Sequence, residues 1–436
     1  MSVDAEKHDS SSSFEHFTDS KHEPTMLPDQ PSGTLPECPD GGLLAWTQVF
    51  GAFLLTLISG GVLNAFGAYQ TFYETDLLSA QSPSAISWIG SVQGLLLLVC
   101  GVLAGPIYDC GGFTVLLHAG SLAVVLGMML TSISDRYWQV FLAQGVLVGV
   151  GAGCFYTPSL ALASSYFHKR RSFAVGIAAC GSSIGGVVFP AIFRQLQPQI
   201  GFGWATRVTG FIILAVYLLA AALMRPRPEK RSKRQLLDLG AFKSLPYSVF
   251  TVAIFLGYVG LYIPYFYISA FAQSKTGASP TLAYYLVSIM NASSLIGRTA
   301  IAWLADRAGP LNTLVVSSLV CMVLAFSWIA IETLPSLIVF AVLYGIFQGT
   351  LVSLPSATIP ALSPDLKRIG AHMGMSLSFA GVGLLIGSPI GGALLDLENA
   401  NFLGAQVFCG VVVAVSGLGY AAARVAKTGP SLRVAA

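Results

Sequence analysis

The amino-acid sequence predicts an all-α integral membrane protein whose twelve transmembrane helices form two six-helix bundles. Hydrophobic residues make up 54% of its 436 residues and charged residues only 10%, whereas a soluble domain carries about 25% charged residues. A soluble fold of this length could not cover its surface with so few charges. Long apolar stretches recur along the chain, and the pattern of the first half recurs in the second.

Twelve stretches are long enough to cross a bilayer, which takes about 20 predominantly apolar residues in a helix. The predicted spans 1 to 12 cover approximately 44–69, 85–108, 114–134, 137–163, 172–194, 206–224, 247–271, 281–304, 312–331, 335–360, 371–395 and 402–424. Turn-forming residues such as Ser82-Pro83 separate them. Helices are expected because backbone groups in lipid must find hydrogen-bond partners within their own segment.

Three polar segments flank and divide these spans. Residues 1–43 are predicted to form a disordered cytoplasmic tail, because they are mostly polar and cannot bury enough apolar surface to fold. The basic cytoplasmic loop 225–246 separates an N-terminal bundle, 44–224, from a C-terminal bundle, 247–425, and a short tail, 426–436, follows.

The distribution of basic residues predicts the orientation. Of the 23 lysines and arginines, 18 fall on one side of the membrane in this arrangement, four fall on the other, and Arg298 lies inside span 8. Because basic loops stay in the cytoplasm, both termini and the loop 225–246 are predicted to be cytoplasmic.

The two halves look like repeats of one another. Asp109 and Gly112 stand between spans 2 and 3, as Asp306 and Gly309 stand between spans 8 and 9. Spans 4, 5, 10 and 11 are rich in glycine, which allows helices to pack closely. Packing alone would explain the glycines, but their recurrence in both halves also suggests interfaces that slide. Repeated halves with a binding site near the midplane are typical of one large class of transporters.

Two motifs resemble the signatures of a known family. Their residues are Asp40, Gly41, Gly42 and Trp46 around the start of span 1, and Lys169, Arg170, Arg171 and Gly176 in the segment that leads into span 5. After residue 39 the chain resembles the major facilitator superfamily and, within it, the monocarboxylate porter family, with a likeness to fungal riboflavin-transporter-like and metabolite-cluster members. The resemblance implies a secondary transporter that works by alternating access.

We interpret the two motifs, together with Asp109, Asp306 and Arg307 in the loops after spans 2 and 8, as insertion, packing and gating elements. The sequence departs from proton-coupled animal members of the family at two positions. Gly67 is nearest to the place of their lysine in span 1, and Ser294 stands where they have an aspartate, four residues before the arginine of span 8.

Arg298 is the main candidate for substrate binding. A charged side chain at the centre of a membrane helix costs about 2.5–3.5 kcal/mol on insertion scales, and a planar guanidinium suits an anionic group. With Ser294 in place of the carboxylate, the guanidinium is expected to lack a protein partner. The alternatives are that Arg298 snorkels to the membrane surface, or is held by an ion pair or by the carbonyl groups of a neighbouring helix.

Five further side chains are candidates for the same cavity. They are Asn291, Asn64, Tyr156, Gln348 and Tyr262. The polar ones would equally serve as hydrogen bonds between helices. Tyr262 belongs to a stripe with Tyr258 and Tyr265 at helical spacing, which would either form an aromatic wall or pack in the core.

The sequence contains no nucleotide-binding or catalytic motif, so no enzyme, cofactor or metal site is expected. The predicted partners are the lipid bilayer and a small-molecule substrate, anionic or polar, and the net charge of +3 gives no indication of nucleic acid. The leading hypothesis is a plasma-membrane carrier for a small organic anion or secondary metabolite, with the efflux carrier of a fungal biosynthetic cluster as one form of it. A riboflavin-like or other vitamin uptake carrier and a transporter-like nutrient sensor are the alternatives.

Overall fold

A computed structural model describes residues 41–225, 238–363, 368–395 and 401–429. These residues are helical nearly throughout, with short connections and no β-strand among them. Ten helical segments are long and apolar enough to cross a membrane: Leu43–Leu77, Ala85–Asp109, Phe113–Thr131, Tyr137–Ser165, Arg171–Leu223, Leu245–Thr276, Pro310–Ala330, Leu334–Leu362, Ile369–Ala393 and Leu403–Thr428. The chain is therefore a multi-pass, all-α membrane protein.

Two differences in counting separate these ten segments from the twelve predicted spans. Arg171–Leu223 is a continuous run that bends at Gly201, whose φ of 76° lies where only glycine is unstrained, so it contains predicted spans 5 and 6. Predicted span 8 is helical over Pro280–Ile296, Gly297–Ile301 and Ala302–Ala308. It is not among the ten, because Asn291 and Arg298 make its middle polar. Numbered in chain order with these two adjustments, the helices are α1 (Leu43–Leu77), α2 (Ala85–Asp109), α3 (Phe113–Thr131), α4 (Tyr137–Ser165), α5 and α6 (Arg171–Leu223 before and after Gly201), α7 (Leu245–Thr276), α8 (280–308), α9 (Pro310–Ala330), α10 (Leu334–Leu362), α11 (Ile369–Ala393) and α12 (Leu403–Thr428).

Several helices depart from regular geometry where they approach the centre of the molecule. Helix α7, Leu245–Thr276, is interrupted at Tyr262, and Pro264 begins its second segment, since proline cannot donate the backbone hydrogen bond that would continue the first. The middle of α8, Gly297–Ile301, is a π-helical turn. Such turns are frequent at functional sites.

Helix ends in the structure differ by a few residues from the approximate predicted bounds. The predicted loop 225–246 contains a short 3-10 helix at Leu239–Lys243, and α7 already begins at Leu245. Helix α12 continues to Thr428, beyond the predicted end at 425, with Lys427 in its last turn, where a cation interacts favourably with the helix dipole. Residues 1–40, 226–237 and 430–436 lie outside the described part, so the predicted disorder of the N-terminal tail and most of the basic loop are not tested.

Helices of the two halves meet along two interfaces. Helix α2, Ala85–Asp109, packs against α11, Ile369–Ala393, and helix α5, the part of Arg171–Leu223 before Gly201, packs against α8 and α10. On the outside, large apolar side chains are exposed, for example Leu103, Val115, Val323 and Leu418. Extensive apolar exposure of this kind suits a surface surrounded by lipid.

Candidate functional site

Arg298 lies in the π-helical turn of α8, and its side chain is 5% exposed. Its Nη1 atom donates hydrogen bonds to the backbone oxygen of Ala179 at 2.9 Å and to Ser182 Oγ at 3.0 Å, both on α5. Its backbone oxygen lies against Gly176, where a Cβ atom would come within 1.8 Å. Arg298 therefore holds α8 against α5 and joins the two halves.

These contacts correct the expectation that the guanidinium of Arg298 lacks a protein partner. Because α5 approaches α8 closely at Gly176, the carbonyl of Ala179 and the hydroxyl of Ser182 lie within hydrogen-bond distance of the guanidinium. These two groups take the place of the missing carboxylate. The pairing is partial, because the buried Nε atom has no hydrogen-bond partner. The Nη2 atom likewise forms no hydrogen bond with any of the described residues. A backbone carbonyl of a neighbouring helix was one of the alternatives that the sequence left open.

Asn64 on α1 and Asn291 on α8 approach one another across α5. A Cβ atom at Gly186 of α5 would come within 2.9 Å of Asn64 Cβ and 3.2 Å of Asn291 Cγ. Asn64 Nδ2 donates to the backbone oxygen of Ser182 at 3.2 Å, whereas Asn291 Nδ2 donates to a carbonyl of its own helix. The structure thus brings two of the predicted side chains together beside the residue that binds Arg298.

The predicted tyrosine stripe forms a ladder on α7. The ring centroids of Tyr258 and Tyr262 are 5.8 Å apart, and those of Tyr262 and Tyr265 are 5.9 Å apart. The hydroxyl of Tyr265 donates to Gln348 Oε1 at 3.3 Å, and Gln348, on α10, is 2% exposed. Two further candidates, Tyr262 and Gln348, are therefore neighbours.

Tyr156 lies on α4 of the other half. Helix α4 contacts α10, which carries Gln348, and α11, whose Gly383 lies beside Tyr258. Tyr156 is 8% exposed and Tyr258 is 4% exposed, and neither hydroxyl forms a hydrogen bond within the described part of the chain. A phenolic hydroxyl both donates and accepts, so this region contains polar groups that are available to a ligand.

Two aspartates join the halves at the end of the bundle that is predicted to be cytoplasmic. Asp109, at the end of α2, accepts hydrogen bonds from the backbone N–H groups of Gly370 and Ala371 at 2.9 and 2.8 Å. These residues lie in the first turn of α11, and a carboxylate at a helix N-terminus interacts favourably with the helix dipole.

Asp306, at the end of α8, does the same for α5. Its two carboxylate oxygens accept hydrogen bonds from the backbone N–H groups of Ser172 and Phe173 at 2.8 and 3.0 Å. The two contacts are equivalent in the repeat, with each half contributing one aspartate and one helix start. Together they join helices of the two halves at this end of the molecule.

A sequence model of the Major Facilitator Superfamily matches residues 42–334, and a model of the MFS_1 like family matches residues 246–432. The chain belongs to the major facilitator superfamily.

Curated relatives support a transport function over most of the chain. The MFS-type transporter dbaD of Emericella nidulans is 42% identical over 379 residues, which cover 87% of this chain and 85% of the relative. The aspyridones efflux protein apdF of the same organism is 41% identical over 382 residues, 87% of this chain and 77% of the relative. The MFS-type transporter pynF of Aspergillus niger is 40% identical, over 86% of this chain and 87% of the relative. The prediction of a secondary transporter is confirmed.

Solved structures of the superfamily share the fold. The human organic anion transporter MFSD10 (TETRAN) superposes with a TM-score of 0.67 at 17% identity, over 87% of this chain and 99% of that chain. The E. coli fucose:proton symporter FucP superposes with a TM-score of 0.65 at 14% identity, over 86% of this chain and 98% of that chain. At these identities the likeness concerns the fold alone.

In this superfamily member, the two predicted motifs pack against each other. The ring of Trp46, near the start of α1, lies 5.0 Å from that of Phe167 and 6.1 Å from that of Phe173, centroid to centroid. Gly41 and Gly42, with φ of 156° and 89°, precede α1, while Asp40 lies outside the described residues. The second motif therefore supports the start of α1 as well as that of α5.

The basic residues of the motifs lie at the helix ends. Lys169 and Arg170 are exposed, and Arg171 Nε donates to the backbone oxygens of Ser164 and Phe167 at 3.3 and 3.1 Å. The guanidinium of Arg307 lies over the ring of Trp303, 3.8 Å from its centroid. These residues are placed apart from the central polar groups.

Sequence reasoning missed the serines of α5 that complete the central site. Ser182 binds both Arg298 and Asn64, and Ser183 shares a hydrogen bond of 2.6 Å with Ser294. The only signal in the sequence is that these serines stand within a run of small residues. Such a run indicates close helix packing, but it does not show which helix approaches.

A second missed cluster surrounds the start of α11. Asp238, within the predicted basic loop 225–246, accepts hydrogen bonds from Arg368 Nη1 at 2.9 Å and from His372 Nε2 at 3.2 Å, and His372 also bonds to Ser363. Burial tends to raise the pKa of Asp238, but the bonds from His372 and Arg368 outweigh it and hold that pKa below its usual value. The cluster stabilises the helix start to which Asp109 binds.

Proposed function

We propose that this transporter exports a small, oxygen-rich organic compound, a secondary metabolite, by alternating access. The observation that carries the proposal is the set of central polar groups. The buried Nε atom of Arg298 has no hydrogen-bond partner in the described part of the chain, and a buried donor is costly to leave unpaired. The hydroxyls of Tyr156 and Tyr258, on residues that are at least nine-tenths buried, are further donors that a bound substrate would engage. Asn64, Asn291, Gln348 and Tyr262 are the other proposed contacts.

The name of one similar protein supports export over uptake. A relative 41% identical to this chain carries the name of an efflux protein for aspyridones. We therefore rank a vitamin uptake carrier and a nutrient sensor below an efflux carrier. The assignment to the monocarboxylate porter family within the superfamily remains our inference from the two motifs.

Closure at one end of the bundle agrees with this mechanism. The contacts of Asp109 and Asp306 hold the two halves together at the predicted cytoplasmic end, and alternating access requires that they break when the site opens to that side. We propose that the two aspartates, with Gly176 at the α5–α8 contact, form the cytoplasmic gate.

We also propose that the protein lies in the plasma membrane with both termini in the cytoplasm. The support is the excess of basic residues on one side. Labelling of a Ser232→Cys variant in intact cells by a membrane-impermeant maleimide tests the topology, with the parent chain as the background control. We expect no added labelling until the cells are permeabilised, and ready labelling of intact cells would contradict the orientation.

Deletion of the gene in the producing organism tests export directly. Mass spectrometry of the medium and of cell extracts should show one or a few compounds shifted from the medium into the cells, and re-expression of the parent chain should restore them to the medium. An unchanged distribution of every compound would contradict an export function. A compound that accumulates in the medium of the deletion strain would instead support uptake.

A further inference from the structure

The central site contains more aromatic surface than a small aliphatic anion requires, and this bears on the substrate class of the export function proposed above. The tyrosines come from both halves, Tyr156 from α4 and the ladder Tyr258, Tyr262 and Tyr265 from α7. The hydroxyl of Tyr265 bonds to Gln348 of α10, a helix that also contacts α4. Thr350 of α10 donates to the backbone oxygen of Gly297, the neighbour of Arg298, so α10 brings the tyrosines and Arg298 to one region.

The ladder owes its shape to the interruption of α7. The first helical segment ends at Leu261, Tyr262 has φ and ψ of −92° and −6°, and the second segment begins at Ile263 with Pro264. Neighbouring rings of the ladder are tilted by 43° and 51° and lie within 6 Å of each other. Centroid distances in this range allow attractive contacts between aromatic rings, so a further ring inserted beside Tyr262 would extend the ladder.

The hydroxyl groups add a specific chemical requirement. Tyr156 and Tyr258 are 8% and 4% exposed, and their hydroxyls have no hydrogen-bond partner among the described residues, unlike that of Tyr265, which donates to Gln348. A phenolic hydroxyl donates one hydrogen bond. Two such donors from opposite halves are therefore suited to oxygen atoms at separate positions on one ligand.

Arg298 limits the charge of that ligand. One of its terminal nitrogens, Nη1, is committed to Ala179 and Ser182, which leaves Nη2 as the remaining terminal donor. A single partly committed guanidinium suits one anionic or strongly polar oxygen group, because a second negative charge in the same buried region would have no partner here.

From these observations we infer that the site takes a planar aromatic compound with at least two oxygen acceptors and at most one negative charge. A hydroxylated aryl carboxylate or aryl ketone has this chemistry: its ring lies against Tyr262, its anionic or carbonyl oxygen meets Arg298, and its other oxygens accept from Tyr156 and Tyr258. Short aliphatic monocarboxylates lack both the ring and the second acceptor. A site built to hydrogen-bond its ligand discriminates strongly against analogues without the bonding group.

Binding of matched probes to the purified full-length protein in nanodiscs tests the inference. 3-Hydroxy-2-naphthoate supplies the ring, the carboxylate and a second oxygen; 2-naphthoate lacks the hydroxyl; and decahydro-2-naphthoate keeps the size and charge but is not aromatic. We expect the affinity to fall in that order. The first and last probes should differ by about tenfold or more, and a tenfold difference in affinity corresponds to about 1.4 kcal/mol of binding free energy. Isothermal titration calorimetry measures all three.

Conservative variants locate the binding. Tyr156→Phe and Tyr258→Phe each keep the ring and remove only the hydroxyl, so they should weaken 3-hydroxy-2-naphthoate severalfold and 2-naphthoate less. Tyr285→Phe, at a tyrosine that is 53% exposed, is the matched control and should bind like the parent. Thermal unfolding of each variant confirms that it is folded.

Equal affinity for the aromatic and the saturated probe, or unchanged binding by both Phe variants, would overturn the inference, as would no binding of 3-hydroxy-2-naphthoate at all. These results are independent of the gene-deletion experiment. If that experiment shows export while the probes fail, the substrate class is wrong and the export function stands. If the probes bind as expected and no compound changes its distribution, the aromatic site stands and export is wrong.

Discussion

The two interfaces between the halves, α5–α8 and α2–α11, have similar geometry but different chemistry. At α5–α8, a Cβ atom on Gly176 would come within 1.8 Å of the Arg298 oxygen, and at α2–α11 a Cβ atom on Gly105 would come within 2.1 Å of the Gly370 oxygen. Each interface ends in an aspartate that binds the start of the opposite helix. Backbones meet closely in both places because no side chain intervenes.

The two interfaces differ in the polar contacts that they make beyond the shared glycines and aspartates. At the α5–α8 interface, the guanidinium of Arg298 on α8 binds the backbone oxygen of Ala179 on α5. Ser183 and Ser294 also share a hydrogen bond of 2.6 Å across this interface. At α2–α11, Ser378 makes only long contacts of 3.4 and 3.5 Å to carbonyl oxygens of α2, beside apolar neighbours such as Leu98 and Gly381. Both interfaces therefore share glycine and aspartate contacts, while the buried polar contacts of Arg298 and Ser183 occur at α5–α8.

The largest expected effect comes from removing the chemistry that distinguishes α5–α8. Arg298→Ala should lower export by about tenfold or more, because hydrogen bonds to a charged group contribute about 1.5–3 kcal/mol each. Arg298→Lys keeps the charge but loses the two-pronged geometry, so it should retain part of the activity. The measurement is export of the identified compound per transporter molecule at the cell surface.

Ser378→Ala is the matched control on the other interface and should leave export near the parent rate. If well-expressed Arg298→Ala protein transports at the parent rate and affinity, then Arg298 only joins α8 to α5. Equal losses in Ser378→Ala and Arg298→Ala would show that the two interfaces contribute alike, and the contrast between them would fail.

Substitution of the glycines should affect both interfaces equally. Gly176→Ala and Gly105→Ala each place a methyl group against a backbone oxygen of the opposite helix, which should hinder closure and reduce export severalfold. Alanine otherwise favours a helix over glycine by about 0.8–1.0 kcal/mol, so a loss would come from the steric clash. Gly67→Ala, where no atom lies within 4 Å of the added methyl, should transport like the parent, and a comparable loss there would refute the steric explanation.

Neutralising the aspartates should have a smaller effect. Asp109→Asn and Asp306→Asn keep the shape of the side chain but lose its charge at a helix N-terminus, an interaction that stabilises by about 0.3–1 kcal/mol, or up to about 2 kcal/mol when partly buried. Each should shift the molecule towards opening at the predicted cytoplasmic end by a similar amount. Distances between spin labels on the two halves at that end measure the shift, and a shift in only one variant would show that the two contacts are not equivalent.

The smallest effect is expected for the cluster around the start of α11. Asp238→Asn should lower the free energy of unfolding by about 1 kcal/mol or less, since partly exposed ion pairs contribute little; Asp238 and Arg368 have side chains 17% and 27% exposed. Because the folded pKa of Asp238 is lowered, its contribution is present above the ordinary aspartate pKa of about 3.9 and is lost as pH falls through the folded value.

Thermal or denaturant unfolding of the parent and the Asp238→Asn variant, measured from neutral to acidic pH, checks this sign. The two stabilities should differ near pH 7 and converge in acid. A difference that grows as the pH falls would contradict the assignment of the carboxylate as a paired anion.

The sequence by itself determined the class of the protein and the location of its unusual residues. Long apolar stretches, the asymmetry of basic residues, the repeated Asp109 and Asp306, and an arginine inside span 8 are local properties. They can be recognised from the sequence because lipid restricts the backbone to helices and penalises any charge within them. The prediction of a secondary transporter of the major facilitator type followed from these properties and from the two motifs.

Only the tertiary structure decided which groups meet. That Arg298 binds a carbonyl of α5 more than 100 residues away, that Ser182 joins it to Asn64, and that Asp238 holds the start of α11 depend on how helices approach and rotate. Glycine runs indicate close approach but do not name the partner helix, and a hydroxyl or amide in a membrane helix bonds equally well to any neighbour. The partners are set by the packing of all twelve helices together, which no local stretch of sequence contains.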